Sequence, residues 1–281
     1  MRRFVALLLF ALLITTPVVA QRANWTRPFP AHRVIGNLYS VGTYDLSAFL
    51  ITSDEGHILI NTRLEDSTPL IGKGMESLGF KLEDVKILLT MQAHWDHTAA
   101  LAEIKKITAA EMWATAGDAP LLEDGGFSDA LFGGKVLFKP VKVDRVIKDG
   151  EVIKLGKTRL TLVETPGHTN GSASYTMKVR EAGRDYDVVI ANMASINHGK
   201  RMVVNPTSPG VSEDFVETFR KQKALPVDVW VAAHASQYGL HDKHKPGQEY
   251  DPKTFVDPEG YRAAVERHEK VYLEQVAAER R

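Results

Sequence analysis

Three short apolar runs in this chain each end in a histidine, and that repetition constrains the fold and its use more than any other feature. The first run, Val85-Lys86-Ile87-Leu88-Leu89-Thr90, has four apolar residues in its first five and reads as a buried strand. It delivers Gln92-Ala93-His94-Trp95-Asp96-His97. Residues 160–163 read as a second strand, ending in Glu164-Thr165-Pro166-Gly167-His168-Thr169, and residues 227–233 as a third, ending in His234. Behind the first run, residues 98–109 carry Leu101, Ile104 and Ile107 at helical spacing with Lys105 and Lys106 on the other side. The hexapeptide is therefore a strand-to-helix loop at the carboxyl end of a strand, where open α/β sheets place their ligands.

The chemistry this suggests is metal binding. The chain has no cysteine, and neutral imidazole and carboxylate are then the usual protein ligands for zinc. His94 and His97 stand three apart and do not easily reach one ion together from a tight turn. With Asp96 between them, two ions served from different sides of the loop is the natural reading. His-x-Asp-His alone is a weak motif; three strands delivering histidine to their carboxyl ends is a specific one.

The hexapeptide, the Gly167-His168 pair and the late His234 together resemble the metallo-β-lactamase superfamily, whose metal-binding pattern is H-x-H-x-D-H, then Gly-His, then a late histidine. Gln92 stands where that pattern has its first histidine. With Ile35-Gly36-Asn37-Leu38-Tyr39 near the start and Ala233-His234-Ala235-Ser236 near the end, the sequence is similar to subclass B3, in particular to its GOB-type enzymes, from about Trp25 onward. The resemblance implies that Gln92, His94 and His168 hold one zinc and that Asp96, His97 and His234 hold a second. The first site would be the weaker, because an amide oxygen is a poorer donor than imidazole. Other hydrolase branches carry a metal-bridging aspartate after the strand that follows the second histidine, and subclasses B1 and B2 carry a cysteine there. Here residues 188–191 run into Asn192-Met193-Ala194-Ser195, with neither, which favours B3.

What the resemblance implies about activity is hydrolysis of the lactam amide of penicillins, cephalosporins and carbapenems by a metal-activated water. Asp96, His94 and His168 would be the catalytic ligands, with Asp96 able to orient that water. Ser195 would contact the substrate carboxylate, a turn serine being the alternative. The stretch 124–134 brackets Phe127, Leu131 and Phe132 with glycine pairs, which suits a mobile loop with an apolar tip. In the family this segment lies over the active site, so these three are candidate substrate contacts, unless they simply pin the loop to the core. Two other readings remain: a hydrolase of the same fold acting on another ester, lactone or thioester, and a non-catalytic binding protein that has lost its first metal site.

The remaining sequence bounds this reading. Arg2-Arg3, the apolar run 4–14 and Val18-Val19-Ala20 have the form of a secretory signal peptide over residues 1–20. That leaves one domain over 21–281, exported to the periplasm without a membrane anchor and expected to act as a monomer. Without Arg2 and Arg3 the 35 basic residues become 33 against 35 acidic, a formal charge of −2, and no basic face suggests nucleic acid. Strands are expected over 38–42, 48–53, 57–62, 111–116, 142–147, 151–154, 159–163, 172–179 and 187–191. A helix is expected over 67–78 and a short one over 118–123. Helix 211–221 should turn Phe215, Val216 and Phe219 inward, and a closing helix opened by Asp257-Pro258 should carry Tyr261, Val265, His268, Tyr272 and Val276 on or beside its packed stripe. His57 should begin a strand, and His198, His241 and His244 should be solvated. Pattern alone supports a layered α/β (α+β) chain; the four-layer αβ/βα sandwich is what the resemblance implies.

Overall fold

A computed structural model describes residues 22–281; the expected signal peptide lies outside the described residues. Strands β1 (His32–Ile35), β2 (Leu38–Ser40), β3 (Phe49–Ser53), β4 (Gly56–Ile60), β5 (Val85–Leu89), β6 (Glu111–Thr115) and β7 (Arg145–Ile147) form one sheet in sequence order. The second sheet runs β12-β11-β10-β9-β8, from β8 (Val152–Leu155), β9 (Thr158–Glu164), β10 (Ala173–Glu181), β11 (Arg184–Ala191) and β12 (Val229–Ala232). Each sheet begins with antiparallel hairpins and ends in parallel strands: β4 to β7 are parallel in the first, β11 and β12 in the second. Parallel strands need crossovers: α1 (Thr68–Ser77), α3 (Leu101–Thr108) and α5 (Val211–Ala224) supply three, and residues 116–144 carry the one from β6 to β7; between α1 and α3 a single turn, α2 (Trp95–Thr98), follows β5.

Alternation along the strands sets the layers. Phe49, Ile51, Ile58, Ile60, Ile87 and Leu89 face the second sheet and pack with Leu160, Leu162, Tyr175 and Ile190 in one apolar layer. Their neighbours Leu50, Leu59 and Leu88 point the other way, against Ile71 and Met75 of α1 and Leu101 and Ile104 of α3. On the far face of the second sheet lie α5 and the long final helix, α7 (Pro258–Glu279); the short α4 (Ala119–Asp124) follows β6 and the short α6 (Leu240–Lys243) follows β12. Phe215 and Phe219 of α5 meet Tyr272 of α7 there. The result is the αβ/βα sandwich.

Three expectations need correction. Ile107 is 44% exposed and Thr108 takes its place on the buried face, because Thr108 lies seven residues from Leu101 and returns to its side of the helix, whereas Ile107 is turned about 120° away. Val216 is 55% exposed for the same reason, one residue round from Phe215. His244 is buried, stacked on His32 at 4.2 Å, and His241 stacks on Tyr44 at 3.7 Å; only His198 of the three is exposed.

Candidate metal centre

Both sheets deliver their histidines to one edge. β5 stops at Leu89, and the loop that follows is held from two directions. Asn61, just past β4 with φ +64°, accepts the Met91 N–H at 2.9 Å, and Tyr175 of the second sheet donates to Thr90 O at 2.8 Å. The turn of α2 is closed by His97 N and Thr98 Oγ1, both donating to His94 O at 3.0 and 2.8 Å. His94 therefore precedes the turn while Asp96 and His97 ride on it, and they face different neighbours.

His94 meets His168, which stands between β9 and β10. Its Nδ1 lies 3.1 Å from His168 Nε2. Their outer nitrogens have partners that can only accept: Asp129 Oδ2 lies 3.2 Å from His94 Nε2, and Ser195 O lies 2.7 Å from His168 Nδ1. An accepting oxygen at each outer nitrogen favours a proton there, which directs the inner nitrogens of the two rings toward the shared space. Gln92 Oε1, lining the same space, is buried without a hydrogen-bond partner.

Asp96, His97 and His234 form the second cluster, with one ligand atom from each lying within 4.8 Å of the others. Asp96 Oδ2 is 3.3 Å from His97 Nε2 and 3.6 Å from His234 Nε2. His97 Nε2 is buried and makes no well-formed hydrogen bond. His234 Nδ1 meets Asp45 Oδ2 at 3.2 Å, and Asp45 is steadied by Trp25 Nε1 at 3.2 Å and Ser236 N at 3.0 Å. Burial opposes a charge on Asp96, but His97, His234 and His94 outweigh it and hold the carboxyl well below its ordinary range. Burial pushes His168 and, against the pull of Asp96, His97 downward, so both rings stay neutral. For His234 the opposing effect of burial is overcome by Asp45 and Asp96, which raise it.

This donor set fits zinc: imidazoles, one ionised carboxylate, an orphaned amide oxygen, and outer partners that fix the rings of His94, His168 and His234. Both clusters open on one cavity of about 340 Å³, within the range of small-molecule sites. A larger open groove of about 1140 Å³ at the other end of the sheets contains Arg33, Lys178 and Arg180, but these are already paired with Glu181, Asp187 and Asp185.

The structure separates the three apolar residues of the 124–134 loop. Phe132 lines the cavity, its ring edge-on to His94 at 5.2 Å. Leu131 faces a neighbouring depression beside Lys200, and Phe127 is 70% exposed, neither pinning the loop nor lining the cavity. Ser195 lines the cavity, its hydroxyl 3.1 Å from His168 Nδ1. Trp25, Asp45 and Asp129 escape sequence reasoning. Asp129 at least sits inside the glycine-bracketed loop, but an aspartate there reads as a turn former; nothing local marks Asp45.

Two sheets packed face to face, with buried histidines, a carboxylate and an amide converging at one shared edge, define a metal-binding type of site. The metallo-beta-lactamase superfamily pattern matches residues 42–234. Among solved structures, a beta-lactamase from Chitinophaga pinensis is 44% identical, with 90% of this chain and 96% of that one covered and a TM-score of 0.88. GOB-18 from Elizabethkingia meningoseptica is 42% identical over 91% and 95%, also at 0.88. The class B3 di-zinc enzyme LRA-12 from an Alaskan soil metagenome is 45% identical over 90% and 96%, again at 0.88. The chain spans about half the length of curated relatives such as hydroxyacylglutathione hydrolase of Rhodospirillum rubrum, 27% identical over 143 residues and 48% of each chain. This chain belongs to the metallo-beta-lactamase superfamily, in its class B3 branch.

Proposed function

We propose that this protein is a zinc-dependent hydrolase that opens the lactam amide of β-lactams. The observation that carries this reading is the pair of ligand clusters that converge beside one cavity, in a chain 42–45% identical to class B3 enzymes. Gln92, His94 and His168 would hold one ion, and Asp96, His97 and His234 the other. Zinc held there would supply Lewis acidity and would make water acidic enough to act as a nucleophile near neutral pH.

The chain's own residues do the rest. Asp96, kept ionised, accepts hydrogen bonds from water in the cavity and orients it. Asp45 holds the imidazole of His234 in one orientation, and Ser195 O does the same for His168. The Phe132 ring walls the cavity beside His94 and limits water there. The Ser195 hydroxyl, which lines the cavity, would donate to a substrate carboxylate.

After β11 the chain offers Asn192 and no carboxylate, and Asn192 Nδ2 is buried without a partner at the edge of the cavity. That supports the lactamase over thioesterase chemistry, the second reading, which rests on the hydroxyacylglutathione hydrolase relatives. Among the described residues no helix is long and apolar enough to cross a membrane. The proposal places the protein in the periplasm as a monomer, exported by residues 1–20. Hydrolysis of a penicillin, a cephalosporin and a carbapenem, with and without a zinc chelator, tests it; turnover abolished by the chelator is expected. Turnover of a glutathione thioester with none of any β-lactam would establish the second reading instead.

A further inference from the structure

The Asp129 carboxylate divides its two oxygens between a loop and a metal ligand. Oδ1 accepts from the backbone N–H of Leu131 and Phe132 at 2.8 and 2.7 Å, which shapes the loop's distal turn. Oδ2 faces His94 Nε2 at 3.2 Å, and the residue is only 8% exposed. At the near end Asp124 accepts from the N–H groups of Gly126, Phe127 and Ser128 at 2.9–3.0 Å, so that end is braced on its own helix. Toward the cavity the loop touches the body through Asp129 and through the edge of Phe132, and both contacts land on the His94 ring.

Resting on the ligand reading above, we propose that Asp129 is a positioning residue that couples the closed 124–134 loop to the first metal site. An ionised carboxylate opposite Nε2 keeps the His94 proton there and leaves Nδ1, the atom facing His168, as the donor. It also raises the basicity of that donor. In a cluster whose third member is the neutral Gln92 amide, this reinforcement matters most. Because one carboxylate serves both ends, a metal on His94 favours the closed loop, and the closed loop favours the metal to the same extent.

The test compares the wild type with Asp129→Asn, Asp129→Ala and, as a control, His94→Ala. Zinc affinity is read by competition with a chromophoric chelator, and loop closure by limited proteolysis within 124–134 with and without zinc. In Asp129→Asn the amide oxygen can still accept from Leu131 and Phe132, while its NH₂ faces His94 Nε2 and drives the ring proton to Nδ1. This variant is expected to lose about 10–100-fold in affinity at one zinc site, with the other unchanged. In metal-free protein, nitrogen-15 shifts should show His94 Nδ1 unprotonated in the wild type and protonated in the variant. Asp129→Ala should lose affinity and be cut faster in the loop whether zinc is present or not, whereas zinc should slow cutting of the wild type. Wild-type zinc affinity in Asp129→Asn, or loop cutting indifferent to zinc, would overturn the coupling. If His94→Ala also keeps both zinc ions, it is the ligand assignment that has failed; if it loses one while Asp129→Asn does not, the coupling alone falls.

Discussion

Gln92 is the weakest donor of the six, a neutral amide among imidazoles and a carboxylate. Its oxygen is buried with no other partner, so the fold has already met the cost of desolvating it and a third imidazole would need little further reorganisation. Gln92→His is expected to bind the first zinc about tenfold or more tightly, a change of about 1.4 kcal/mol per tenfold; Gln92→Ala should shift affinity the other way, both read by chelator competition. His32 makes a different prediction, about stability. Its Nδ1 donates to Pro30 O at 3.0 Å, while Nε2 is buried without a partner. Burial pushes its pKa down to about 4, with His244 and His241 adding to the effect. The unfolded chain, with its ordinary value near 6.5, takes up that proton first as pH falls. Stability is therefore full above about pH 6.5 and declines toward pH 4, by at most about 1.4 kcal/mol per pH unit and roughly 3 kcal/mol in all. His32→Phe should narrow the gap between urea midpoints measured near pH 7 and pH 4.5; an unchanged gap would show that His32 does not carry the acid limb.

At the scale of elements, the turn between β9 and β10 shows how packing sets the site. Gly167 has φ +119°, and a Cβ there would stand 2.8 Å from the ring of Phe215, itself fully buried and stacked on Tyr272. Gly167→Ala is expected to cost about 1–3 kcal/mol in strain and overpacking. It should also displace His168, weakening one zinc site while the Asp96 cluster keeps its ion, as urea unfolding and zinc titration on one preparation would show. That Gly167-His168 pair was legible in the sequence, as were the strands that end at His94 and His234, because short apolar runs and the residues that stop them are local signals. Ile107, Val216 and His244 were misread because local spacing does not say where a helix's buried stripe is centred or which loop folds back over a side chain. Asp45 was illegible for a stronger reason: it meets His234 from 189 positions away, and no local pattern encodes such a pairing. The split among Phe127, Leu131 and Phe132 was equally hidden, since it depends on Asp129 drawing in the backbone of residues 131 and 132.

For the whole molecule, the decisive fact is that each cluster draws on both sheets. Gln92, His94, Asp96 and His97 follow β5 of the first sheet, whereas His168 and His234 leave β9 and β12 of the second. At that edge the sheets are also tied by Ser47 N donating to Ala233 O at 3.0 Å and Ala235 N donating to Asp45 O at 2.7 Å. Elsewhere they are held by the shared apolar layer, which needs no ion. A metal bound here therefore clamps two sheets at one end. Binding only to the folded state adds RT ln(1 + [L]/Kd), about 4 kcal/mol when free zinc is 1,000 times Kd. For a chain of this size that corresponds to a melting shift on the order of 10 °C. The chelated protein should melt lower by about that amount with its far-ultraviolet circular dichroism unchanged below the transition, and the difference should grow with free zinc. Equal melting temperatures with and without zinc would mean that the ion does not bridge the sheets, and that the convergence of the two clusters is not a binding site. A loss of secondary structure on chelation would mean instead that the apolar layer cannot hold the sheets together without the clamp.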